Sequence, residues 1–82
     1  TASQNARYWA IIRYISDTAI LDGRQYGVAE WHEYLKRQFL GVLDLPGGGS
    51  VAMSSADLTV ETFGEYMTKV EVWAAEQGYG GL

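Results

Sequence analysis

The 82-residue chain contains no cysteine. Disulfides, thiolate metal sites and a cysteine nucleophile are therefore excluded. Histidine occurs once and proline once. Long apolar runs are missing too, and the longest is far too short to cross a bilayer. The opening TASQN carries no targeting logic, and nothing marks the chain as secreted, so the cytoplasm is the expected compartment. One domain over residues 1–82 is expected at this length, with about 60–65% of the unfolded surface buried and a small stability margin.

Aromatic side chains, by contrast, are plentiful: three Trp, six Tyr and two Phe. A single small core holds few large rings, so some are expected at the surface or in an interface. The net charge is −4, and it is uneven. Residues 1–41 hold Arg7, Arg13, Arg24, Lys36 and Arg37 against Asp17, Asp22, Glu30 and Glu33, five cations minus four anions, or +1. Residues 42–82 hold Lys69 against six acids, one minus six, or −5. An acidic chain is a poor general binder of nucleic acid, because that affinity comes from neutralised phosphates. A basic face on the first half is the remaining route.

The periodicity predicts a mainly α (α+β) fold: three helices, with a short β-hairpin between the second and third. The first helix is expected over Gln4–Thr18 with Ser3 as its N-cap. Its stripe is Tyr8, Ile11 or Ile12, Ile15 and Ala19, widened by Trp9. Asp22-Gly23 signals a turn. The second helix is expected over Val28–Leu40, entered from Gly27, with Val28, Trp31, Leu35 and Phe39 in phase and Gly41 at its end. Leu43 and Leu45, then Val51 and Met53, suit two short strands, with Asp44 and Ala52 facing away and PGGG between them. No Lys-Ser or Lys-Thr follows those glycines, which removes a phosphate-loop reading. The third helix is expected after Thr59, with Val60, Phe63, Met67, Val70 and Ala74 as its stripe and a Glu65–Lys69 pair on its surface. Tyr66 and Trp73 lie seven apart on a second face, which marks them as candidate interface residues. Gln77-Gly78 stops the helix, and GYGGL either frays or docks elsewhere.

Catalytic signatures are thin. His32, in EWHEY, lacks the helical zinc-protease spacing. It reads as a boundary residue, with Glu33 pairing to Arg37. Asp17 and Asp22 could share a divalent ion for phosphate chemistry, but a turn separates them. Ser54 and Ser55 read as turn residues. No enzyme and no cofactor are expected. Arg7 and Arg13 among Tyr8, Trp9 and Tyr14, with Arg24 beside Tyr26 and the Lys36-Arg37 pair, make the mixture that holds single strands, cations for phosphates and rings for bases. Arg7, Arg13, Arg24, Lys36 and Arg37 are the candidate DNA contacts.

Three ordered segments resemble the NinB family, the Orf recombination proteins of lambdoid phages. Ser3-Gln4-Asn5-Ala6-Arg7-Tyr8-Trp9 is similar to its S-x-x-Q-N-x-x-x-W segment, with Thr1 in the leading Ser position. Gly23-Arg24 followed by Ala29-Glu30-Trp31-His32 is similar to its G-R and A-E-S-W-K. Residues 54–66, from Ser54 to Tyr66, resemble its T-S-x-x-L/M-x-V-x-E-F-x-E-F/L, with Thr62 where an acid is common. The resemblance implies a noncatalytic accessory of phage recombination in the host cytoplasm. Such a protein binds single-stranded DNA, forms a homodimer, meets single-strand-binding protein or a recombinase, and needs no membrane. The family domain also has an N-terminal β-containing part and the phage lambda relative a basic C-terminal extension, so this chain corresponds to the helical core of a longer family domain. The alternative is a homodimerisation or protein-interaction module without direct DNA binding.

Overall fold

The computed structural model describes residues 1–79. Three helices, α1 (Ala2–Thr18), α2 (Val28–Phe39) and α3 (Val60–Glu76), pack around one core, and two strands, β1 (Val42–Asp44) and β2 (Ser50–Ala52), form an antiparallel hairpin between α2 and α3. The fold is mainly helical, mixed α+β, as the periodicity predicts.

The first helix starts earlier than the polar run suggests. Its N-cap is Thr1, not Ser3. The Thr1 hydroxyl accepts the Gln4 N–H at 3.1 Å, and the Gln4 side-chain oxygen accepts from the terminal ammonium at 3.2 Å. This reciprocal pair satisfies two orphan donors at once, which a lone Ser3 cap does not. Gln4 also donates to the Val60 carbonyl at 2.9 Å and thereby ties α1 to the first turn of α3. At the other end, Leu21 and Arg24 exchange both backbone hydrogen bonds, at 2.9 and 2.8 Å. Between them Asp22 and Gly23 both take positive φ, 51° and 75°. That is the mirror-image two-residue turn that Asp-Gly favours.

Gly27 enters α2, and its N–H donates to the Glu30 carboxylate at 3.0 Å. The helix ends at Phe39 rather than Leu40, and Gly41 leaves it at φ 119°. In the hairpin Val42 pairs Ala52, Leu43 pairs Val51 and Asp44 pairs Ser50. Its facing differs from the expectation. Ala52 and Ser50 are half-buried, whereas Leu43, Leu45, Val51 and Met53 are exposed. Arg37 causes this: its guanidinium donates from α2 to the Ser50 hydroxyl at 3.2 Å and the Ser50 carbonyl at 3.0 Å. That fork fixes the Ser50 and Ala52 side of β2 toward the helix and turns the larger residues outward.

Thr59 caps α3 as expected, accepting the Thr62 N–H at 3.1 Å. Val60 falls off the stripe into solvent, and Tyr66 takes its place in the core beside Met67, Val70 and Ala74. A Glu65–Lys69 ion pair does not form. Gly78, at φ 85°, lets the Gly78 N–H reach Ala75 and the Tyr79 N–H reach Ala74, a paired C-terminal cap. Gly78 and Tyr79 are therefore not loose: the Tyr79 ring packs 6.0 Å from Trp73 and 6.5 Å from Trp31. Gly80, Gly81 and Leu82 lie outside the described residues.

Candidate interaction surfaces

Four of the five candidate cations lie against carboxylates. Arg7 donates to Glu71 at 2.8 Å, Arg24 lies 3.7 Å from Glu30, and Arg37 and Lys36 share Glu33 at 3.0 and 3.8 Å. The Lys36 side chain is only 15% exposed, so it is poorly placed for a phosphate. Arg13 is exposed and has no carboxylate within ion-pair distance among the described residues. Arg24 also lies over the Tyr26 ring, 4.5 Å from its centroid. Each surface pair is worth about 0–1 kcal/mol, so a polyanion could still compete for these cations. Three carboxylates, Glu71, Glu30 and Glu33, thus serve four of the five cations.

The two candidate interface residues separate. Tyr66 is 2% exposed and is a core residue, which removes it from any contact with a partner. Trp73 is half-buried among Trp31, Tyr34, Phe39 and Tyr79. The extra aromatic face is thus mostly an extension of the core. A seven-residue spacing cannot distinguish a second surface from a wide buried stripe.

The packing also assigns His32 a partner that spacing along α2 could not reveal. The Tyr8 hydroxyl lies 2.6 Å from His32 Nδ1 and 2.8 Å from the Tyr66 hydroxyl. The His32 ring is 4.6 Å from Trp9 and 5.5 Å from Tyr8. Burial pushes both tyrosine hydroxyls above their ordinary range, so both keep their protons. Burial, then the Lys36 charge, lowers the His32 pKa, against a smaller opposing pull from Glu33. With a neutral ring whose proton is on Nε2, Tyr8 donates to Nδ1 and Tyr66 donates to Tyr8, and every hydroxyl proton has an acceptor. This chain links α3, α1 and α2 and ends at the half-buried His32 ring.

Asp17 and Asp22 are both exposed, and no three His, Asp or Glu side chains converge on a metal-sized site among the described residues. Ser54 accepts from the Ala56 N–H at 3.2 Å, as a turn residue does. Among the described residues no helix is long and apolar enough to cross a membrane.

The clearest surface feature is the hairpin. Val42, Leu43, Leu45, Val51 and Met53 are all exposed, Leu43 at 53%. Between Val42 and Met53 the only charged residue is Asp44. Among the described residues each strand pairs only with the other, and the outer edge of β2 accepts from Arg37 at the Ser50 carbonyl. Comparison with protein-family models, curated proteins and solved structures found no match. The likeness to NinB rests on its three sequence segments alone.

Proposed function

We propose that the chain is a noncatalytic association module that pairs with a second copy of itself through the hairpin. The observation that carries this reading is the set of four exposed apolar side chains, Leu43, Leu45, Val51 and Met53, on the outward face of the hairpin and its flanks. Contiguous exposed apolar surface marks association sites more often than scattered residues do. Charge selects the occupant. The molecule carries −4 overall, and the acids Glu61, Glu65, Glu71 and Glu76 line α3. A second copy meets the least like-charge repulsion at the nearly uncharged hairpin. The same apolar set on both copies suits a two-fold, self-complementary contact. Leu43→Lys places a charge in that contact and is expected to yield monomer. Val60→Lys, on an equally exposed apolar residue outside the hairpin, is expected to leave association unchanged. Light scattering of the two variants distinguishes them, and equal behaviour would contradict the assignment.

A second reading, a single-stranded DNA-binding accessory of phage recombination that meets single-strand-binding protein or a recombinase, is supported by Arg13 and by the Arg24–Tyr26 stack. Salt separates the two readings. DNA binding weakens as salt rises, through released counterions, whereas self-association of an acidic chain strengthens as its repulsion is screened. Fluorescence titration of a labelled oligonucleotide at two salt concentrations tests the second reading, and no binding at the lower one removes it.

A further inference from the structure

Beside the Asp22-Gly23 turn, a cavity of about 340 Å³ is lined by Leu21, Asp22, Tyr26, Glu30, Trp31 and Tyr34. Its size reaches the lower end of the range for ligand sites, about 300–1,000 Å³. We infer that this cavity binds an alkylated ammonium group, either a free organic cation or the methylated end of a lysine side chain.

The lining chemistry points there. Tyr26 and Tyr34 each meet Trp31 nearly at right angles, at 84° and 89°, with centroids 6.4 and 5.7 Å apart. Perpendicular rings form a corner in which one cation can touch more than one π-face. A planar guanidinium stacks on a single face, as Arg24 already does on Tyr26. A rounder, tetrahedral ammonium suits a corner. The two charged residues at the cavity, Asp22 and Glu30, are both anionic. Glu30 is engaged by Arg24 at 3.7 Å and by the Gly27 N–H at 3.0 Å. Asp22 has no ion-pair partner among the described residues, so one carboxylate remains to balance an incoming charge.

The test is a heteronuclear NMR titration of the full chain with tetramethylammonium chloride, against sodium chloride at matched ionic strength and against neutral tert-butanol. Saturable shifts confined to residues 21–34 and the Trp31 indole are expected with the cation, and none with either control. Tyr34→Ala removes an exposed wall. Asp22→Asn removes the free charge yet keeps the turn, since Asn-Gly adopts it equally well. Each is expected to weaken binding about threefold to thirtyfold, the span of cation–π energies. If Tyr34→Ala disturbs the amide spectrum, Asp22→Asn decides alone. A choline arm and a trimethyllysine tripeptide arm separate the two sources: tighter binding of the tripeptide assigns the site to a modified protein tail, and equal binding to the free cation. No saturation by about 100 mM tetramethylammonium, far outside the millimolar range, overturns the inference. So does equal binding of tert-butanol, or wild-type affinity in both variants.

Discussion

His32 illustrates how one side chain changes meaning between sequence and fold. Along α2 it sits between two glutamates and reads as a boundary residue. In the packed molecule it closes a hydrogen-bond chain that begins at Tyr66. Protonation breaks that chain. A charged ring must donate from Nδ1, so Tyr8 can no longer donate to it, and one of the two buried hydroxyl protons loses its acceptor. The folded-state pKa of His32 lies below the usual 6.5. The unfolded chain therefore binds the proton more readily, and the stability His32 contributes is present above about pH 6.5 and lost as pH falls toward and through the folded value. Urea unfolding at a series of pH values should show that loss in the wild type and a shallower slope in His32→Asn, and parallel slopes would contradict it. The tyrosines should differ as well. Tyr8→Phe leaves both His32 Nδ1 and the Tyr66 hydroxyl unpaired and should cost about 1–3 kcal/mol. Tyr66→Phe leaves the Tyr8–His32 bond intact and should cost about 0.5–1.5 kcal/mol. Equal losses in urea melts would show that the chain does not run in the stated direction.

At the scale of elements, the helices were legible because each presents a long apolar stripe, and the phase of Tyr8, Ile12 and Ile15 or of Met67, Val70 and Ala74 survives tertiary packing. The exits were legible as well: Asp22-Gly23 and Gly78 take the positive φ their chemistry favours. What the sequence concealed depends on contacts between distant residues. The facing of the hairpin is set by Arg37 reaching Ser50 across thirteen positions, which no local alternation encodes. The pairing of Arg7 with Glu71 spans sixty-four. That pairing, with the Glu30 and Glu33 bridges, sets carboxylates against four of the five cations of the first half. The cap of α1 was misplaced because Ser3 and Thr1 are both good caps, and only the reciprocal bond from Gln4 decides between them. Substitution tests this assignment: Thr1→Ala should cost about 0.5–2 kcal/mol as the N-cap of α1, whereas Ser3→Ala should be nearly neutral. A comparable loss at Ser3 in thermal unfolding would restore the earlier helix boundary.

The whole molecule is flattened, 38 × 33 × 19 Å, with a radius of gyration of 13.2 Å. A compact chain of this length is expected near about 12 Å. The excess fits an outlying hairpin that adds surface without adding core. Two short strands are marginal in isolation and need a surface to cover them. Arg37 supplies part of that cover from α2, and Leu43, Leu45, Val51 and Met53 remain 37–53% exposed among the described residues. In the proposed dimer a second copy covers them. Sedimentation equilibrium of the full chain across the micromolar range, at low and at raised salt, is the most direct measurement of that claim. Self-association to twice the chain mass, stronger at raised salt and abolished by Leu43→Lys, is the predicted result. A single species of monomer mass under all conditions would contradict it.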